Sequence, residues 1–474
     1  MTSILKFSLL CISLIYICTA PISIPLKLIS AQNGKHPILR EMDISLNRNS
    51  GNFLRSLKTI HGTVEILVSS LFAAELLIGT DSQKFNVVLD TGSYVCWVPL
   101  TGSDDGEAKI EHHYNPSSSE TSTKTKSDFQ IQYGTGSTEG YYYLDTVKFM
   151  ANSSFNMLFG AASKLTFDVT GADGIMGLGK KYDKDEKSAL FTLKQKKIIS
   201  SAAFSFKYSD GNLEMFIGDE HEDFSLNNTA SCQLLSRTTY DVTLWTCKLY
   251  NFGLIDTSRT KNATASAGYN ILFDTGSNLC ILPLTTLEAI SNQLSQFNCE
   301  TATIQENNAQ IILCKDYTAL PDIFIEVGDN YIFLDRNKFF YKTRFDGDTA
   351  ISYVLNIYFQ DTQMPIIGQP FFTEFHTKFD PENKVLKFHT DDDKAIVFSS
   401  KKPDNDPADS LGPLDSDVND WINNNIGIIV SVSIILAGLV ALCIVIRMCN
   451  GCRKMLFGST KKSTAIEGNY KNME

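Results

Sequence analysis

The chain has no surplus of basic charge: 42 Lys and Arg stand against 53 Asp and Glu, a net charge of −11. A nucleic-acid surface would need the opposite balance, so no nucleic-acid partner is expected. Of the six cysteines between the two ends of the chain (Cys96, Cys232, Cys247, Cys280, Cys299 and Cys314), none stands at a zinc-ligand spacing. Apolar runs long enough to cross a bilayer are missing until residue 426; the early run Phe7 to Cys18 is too short. What remains is ordinary for a globular protein, 43% hydrophobic and 20% charged residues, and 474 residues suffice for two or three domains.

One stretch organises the rest. Phe85-Asn86-Val87-Val88-Leu89 reads as a buried strand that runs into the turn Asp90-Thr91-Gly92-Ser93, where glycine lets the backbone bend behind an acidic side chain. A single turn of this kind could be an ordinary strand end. It recurs, however, as Ile271-Leu272-Phe273 followed by Asp274-Thr275-Gly276-Ser277, with Cys96/Cys280 and Pro99/Pro283 at matching offsets. That is a long-period internal duplication. Two carboxyls brought face to face cannot both ionise cheaply, so they share a proton and offer a base and an acid to one water molecule.

On these motifs the chain resembles the pepsin-like (A1-type) aspartic proteases. The resemblance runs from about residue 62 to 398. It implies an all-β, bilobal fold with a central substrate cleft, and an endopeptidase that acts on polypeptides through Asp90 and Asp274 with no metal and no cofactor, as a monomeric catalytic unit. By the same resemblance Thr91 and Thr275 brace the two turns. Gly92 and Gly276 bring amides to the carboxylates, and Ser93 and Ser277 bond the outer oxygens. The hairpin of Tyr133, Gly134, Thr135, Gly136 and Ser137 resembles the family's flap, with Tyr133 bonded to Trp97, and Val88 is expected to line an apolar substrate pocket. Ala172 to Gly179 and Pro365 to Phe372 resemble the strands that cross behind each catalytic turn. Cys299–Cys314 is expected as the second-lobe disulfide and Cys232–Cys247 as a further one, which leaves Cys96 and Cys280 as buried thiols or, less simply, a bridge between lobes.

The ends read as targeting segments. Residues 1–20 resemble a signal peptide, with Pro21 awkward for cleavage after Ala20 and an uncleaved anchor the rival reading. Residues 21–60 are polar without strand rhythm and stand where the family has a propeptide; Arg55 or Lys58 is then the base nearest the carboxylates, and a plain linker is the alternative. The first lobe is expected over 61–235 and the second over 236–400. An acidic stalk follows at 401–425, an uncharged transmembrane helix at 426–446, and a cytosolic tail at 447–474 that opens with Arg447, Arg453 and Lys454. This describes a type I protein of the secretory pathway, its single C-terminal helix in the membrane and its catalytic part outside the cytosol. Sequons at Asn152, Asn227 and Asn262 fit that route. Three functional readings stay open: a selective processing protease, a broad degradative protease of an acidic compartment, and a receptor on an inactive protease fold. The last would show a lost Asp or a replaced motif glycine, and neither is present.

Overall fold

The computed structural model describes residues 22–398, apart from 30–37, 49–57, 69–70, 107, 109, 135, 151–152, 167–170, 181–187, 210, 219–220, 227, 236–242, 256–261, 306, 319, 345–350, 363 and 393–394. The expected signal, Arg55, Thr135, Asn152, Asn227, the stalk, the transmembrane segment and the tail lie outside the described residues. Among the described residues, no helix is long and apolar enough to cross a membrane.

Three sheets carry the described chain. The first half of the chain builds an eight-stranded sheet in which Gln83–Asp90 lies between Leu71–Ile78 and the short strand Gly174–Gly177. Alternation drives this packing: Phe85, Val87 and Leu89 are fully buried on one side, and Val88 is buried on the other. The second half repeats the arrangement inside a 14-stranded sheet. There Asn262–Phe273 pairs in parallel with Ile366–Ile367, as Gln83–Asp90 does with Gly174–Gly177. Each short strand is also crossed by the strand that follows its acidic turn, Ile175 opposite Trp97 and Ile281 opposite Ile366. The duplication read from the turns is thus a duplication of hydrogen-bond topology.

A six-stranded sheet draws on both halves, with Phe204–Ser209 beside His376–Asp380. Phe204 and Phe379 stack across that pair at 4.8 Å, and Trp245 meets Phe379 edge-on at 5.1 Å. The disulfide Cys232–Cys247 ties this sheet to the 14-stranded one, and Cys299–Cys314 staples two directly opposed residues of a strand pair. Each closes a separation of 15 residues, which in the chain-entropy account contributes about 3 kcal/mol. Cys96 and Cys280 are free and buried, and burial pushes each thiol up to about 12.

Residues 21–60 differ from expectation. Ile22–Pro25 pairs antiparallel with Asn212–Ile217 at the edge of the six-stranded sheet, Lys27–Ile29 pairs with Leu71–Ile78, and Ile38–Arg48 forms a long hairpin with Lys58–Val68. A strand added to an existing edge takes its hydrogen bonds from that edge and needs little alternation of its own; Pro25 is tolerated for the same reason. The lobe boundary shifts too. Ile38–Arg48 pairs with Cys299–Ile304, so residues 61–68, expected with the first lobe, belong to the sheet of the second half.

Among the buried acids outside the duplicated motifs, Glu374 has an oxygen left without a partner. Glu374 Oε1 accepts from the Asp335 amide at 3.2 Å with Lys338 Nζ at 3.9 Å, while its buried Oε2 has no hydrogen-bond partner. Burial pushes its pKa from 4.5 up to about 7. A carboxyl whose folded pKa is raised costs stability once it would ionise in the unfolded chain. That cost grows from about pH 4.5 to about pH 7 and is constant above. Glu374→Gln should therefore stabilise the protein by up to about 3 kcal/mol at pH 7.5 and by little at pH 4. Urea unfolding at the two pH values measures this, and equal destabilisation at both would contradict it.

Candidate active site

Both acidic turns arise the same way. A buried strand delivers the aspartate, the next two residues turn, and the backbone is pinned to the crossing strand: the Leu178 amide donates to Asp90 O at 2.7 Å, and the Asp274 amide donates to Ile367 O at 2.9 Å. The two turns then lock each other. Thr91 Oγ1 donates to Phe273 O at 2.8 Å, and Thr275 Oγ1 donates to Leu89 O at 2.6 Å. Each hydroxyl in turn accepts the other threonine's amide, at 2.9 Å for Thr275 and 3.2 Å for Thr91. Both threonines are fully buried, so these bonds face no competition from water.

This lock sets Asp90 and Asp274 side by side, their carboxyls hydrogen-bonded to each other. Asp90 is buried; Asp274 is partly open to solvent. Each Oδ1 accepts from the glycine amide of its own turn at 2.8 Å, Gly92 for Asp90 and Gly276 for Asp274. There is no room for anything larger at these glycines. A Cβ at Gly92 would stand 2.6 Å from the Asp274 carboxyl, and one at Gly276 would strike Asp90 Oδ1. Burial raises both pKa values. For Asp90 the Ser93 hydroxyl and the turn amides oppose the rise, while for Asp274 the charge of Asp90 adds to it and carries it well above the carboxylate range. Burial and the mutual charge thus favour one proton held between the two carboxyls.

The pair is not symmetric, and here one expectation is corrected. Ser93 Oγ donates to Asp90 Oδ2, but Ser277 Oγ donates to Leu279 O at 2.9 Å instead of to Asp274. The backbone two residues on offers Ser277 a nearer acceptor, a local competition that Ser, Asn and Asp side chains often enter. The hairpin Thr123–Tyr133 with Gly136–Met150 brings Tyr133 to the site. Its hydroxyl accepts from Trp97 Nε1 at 2.9 Å and also hydrogen-bonds with Ser93, which links Trp97 to Asp90 through two side chains. Burial and the charge of Asp90 raise the phenol. Gly134 is exposed at the hairpin tip, and Gly136 and Ser137 open its return strand. Val88 is a second correction. It is 3% exposed, in a cluster with Val95, Trp97 and Phe129, against which the partly exposed Tyr94, Ile131 and Tyr133 pack among others. Strand alternation puts Val88 on this side of the sheet, but the hairpin covers it.

Gln369 escaped the sequence reading, which saw it only as part of a crossing strand. Its Nε2 donates to Thr275 O at 2.9 Å and its amide to Ser277 O at 2.9 Å, so it holds the second turn from below. Its side chain is fully buried, and a polar residue inside an apolar run (Ile366-Ile367-Gly368-Gln369-Pro370) was the signal available. Of the sequons, Asn262 opens the strand Asn262–Phe273.

A shared proton between two buried carboxyls, with solvent access on one side, suits acid–base activation of water, the chemistry of the aspartic hydrolases. The chain belongs to the eukaryotic aspartyl protease family, which matches residues 71–390. It is 28% identical over 332 residues to a probable vacuolar protease A of Trichophyton verrucosum, covering 67% of this chain and 78% of that protein. To cathepsin D of Gallus gallus it is 25% identical over 348 residues, 69% of this chain and 83% of the relative. Pepsin II-2/3 of Oryctolagus cuniculus is 26% identical over 333 residues, 68% and 82%. The protein is an aspartic-type endopeptidase, and its mostly β fold fits the two-lobed architecture of that family.

Proposed function

We propose that Asp90 and Asp274 carry the hydrolysis. The observation that carries this reading is the close approach of the two carboxyls across turns locked by Thr91 and Thr275, so close that a Cβ at Gly92 would lie 2.6 Å from the Asp274 carboxyl. A water held between them gives its proton to the ionised Asp90 as it attacks the scissile carbonyl, while Asp274 donates to the carbonyl oxygen as the tetrahedral intermediate forms. Tyr133 and its hairpin close over the peptide and keep bulk water away. The apolar surface of Ile131, Tyr133 and Tyr94 favours large hydrophobic residues beside the cut bond.

The chain enters the secretory pathway through residues 1–20, is anchored by 426–446 as a type I protein, and carries a propeptide over 21–60. The pairing of Ile22–Pro25 at a sheet edge supports the last point, since an edge strand can leave without opening the sheet's interior. The substrate cleft lies between two lobes that divide near residue 235, with 61–68 counted to the second. An anchor favours the processing of secretory or membrane proteins. The relatives named vacuolar protease A and cathepsin D favour the second reading, degradation in an acidic lytic compartment.

Cleavage of a quenched hydrophobic peptide from pH 3 to 8, with and without a pepstatin-type inhibitor, tests the mechanism. Activity should peak below neutrality, fall as the shared proton is lost at higher pH, and disappear with the inhibitor. A rate that climbs steadily to pH 8 would rule out the shared proton. Digestion of denatured globin beside a peptide library then separates the two roles, by many cuts or by few.

A further inference from the structure

Among the described residues, the mechanism leaves one cluster of ligand-type side chains unused. We propose that His221, Asp223 and His376 form a binding site for a divalent transition-metal ion of the zinc class, which ties a short helical turn to the six-stranded sheet. The three residues each turn one ligand atom inward, and all three atoms lie within 4.8 Å of one another. His376 Nδ1 is 2.8 Å from Asp223 Oδ2, and His221 Nδ1 is 3.4 Å from Asp223 Oδ1. Two imidazole nitrogens and one carboxylate oxygen are a donor set that zinc accepts, with a fourth position left for solvent. The set is too poor in oxygen for calcium or magnesium.

The surroundings suit ligation. His376 Nε2 lies 2.9 Å from Ser205 Oγ, a hydroxyl that can accept from Nε2–H when Nδ1 holds a metal, and so fixes the ring. Phe216 packs on His221 at 4.5 Å and Phe224 on His376 at 4.4 Å, walling the ligands from both sides. The His221 side chain keeps 16% of its surface exposed, which leaves an entry path. Two groups compete with the ion: the Asp223 amide donates to His221 Nδ1 at 3.3 Å, and Lys207 Nζ sits 2.6 Å from Asp223 Oδ2. The lysine side chain is 28% exposed and flexible, so it can swing to solvent, and metal and ammonium compete for the same carboxylate. The ion would join His376, on the strand His376–Asp380 of the six-stranded sheet, to the short helical turn Glu222–Ser225 capped by His221, two segments far apart in sequence. No cysteine takes part, so cysteine spacing could not reveal it.

The test is cobalt and zinc titration of the full chain in detergent after treatment with chelator. Cobalt is followed by its visible absorption and zinc by competition with a chromophoric chelator. The expected result is one ion per chain, with cobalt bands of low-coordinate type and a rise in melting temperature on adding zinc. His221→Ala, at a partly exposed position, should weaken uptake by about tenfold or more. Lys207→Met should tighten it by about tenfold, because a competing charge is gone. Both positions keep some solvent exposure, so these two variants decide the matter without disturbing buried His376. Uptake unchanged in both would overturn the proposal and place any bound ion elsewhere. No uptake by either the native chain or Lys207→Met would overturn it as well.

Discussion

Asp274→Asn should lower kcat/KM by about 10²- to 10⁴-fold while leaving the protein folded. The asparagine keeps an oxygen for the Gly276 amide, now bonded at 2.8 Å, but it has no proton to share with Asp90. Stability should move the other way. Because the folded-state pKa of Asp274 is raised, its ionisation costs stability as pH rises above the unfolded carboxylate value, and a permanently neutral side chain escapes that cost. The variant should therefore melt at or above the native temperature near neutral pH, with the difference shrinking in acid. Parallel peptide assays and thermal melts at pH 4 and pH 7 make the comparison. If activity were retained within a few-fold, the carboxyl pair would be scaffold only. If activity and stability fell together at both pH values, the residue would be structural.

Gly92→Ala is expected to be nearly as damaging, for a geometric reason. The added Cβ would stand 2.6 Å from the Asp274 carboxyl carbon and both its oxygens. Real carbon contacts do not come so close, so the carboxyl must rotate or the turns must part. The turns resist, because Thr91 and Thr275 hold each other through four hydrogen bonds to groups buried beneath the dyad. The easier response is displacement of Asp274, and a shift of about 1 Å in a catalytic group costs about 10²-fold in rate. We expect kcat/KM to fall by about that much with a small change in melting temperature. A variant as active as the native enzyme would mean that the dyad tolerates displacement, and that its tight spacing is not what drives the reaction.

The contrast between Ser93 and Ser277 shows how far pattern reading reaches. The two serines hold equivalent places in identical four-residue turns, and the duplication implies equivalent bonds. Only Ser93 reaches its aspartate; Ser277 turns to Leu279 O. What separates them is set by neighbours that the motif does not include: Tyr133 stands beside Ser93, and Gln369 takes the backbone oxygens of Thr275 and Ser277. Val88 teaches the same lesson. Alternation along Gln83–Asp90 says which side of the sheet it occupies, and not that a hairpin nearly fifty residues later buries it.

By itself the sequence determined the two acidic turns, the strands that feed them and, through them, the family; the flap hairpin and the two cysteine pairs followed only as what the family resemblance implies. The turns and strands rest on local chemistry or on repetition. Strand alternation, glycine's freedom to turn and the doubling of Asp-Thr-Gly-Ser can each be read within a few residues. Tertiary structure alone decided which partners those residues meet. It put Ile22–Pro25 on a sheet edge and Ile38–Arg48 between Cys299–Ile304 and Lys58–Val68, gave residues 61–68 to the second half's sheet, raised the pKa values of Asp90 and Asp274 by bringing them together in a buried site, and gathered His221, Asp223 and His376 around one point. The reason is that hydrogen bonds across a sheet, burial and charge proximity depend on distances between segments remote in the chain, and no local pattern encodes those distances.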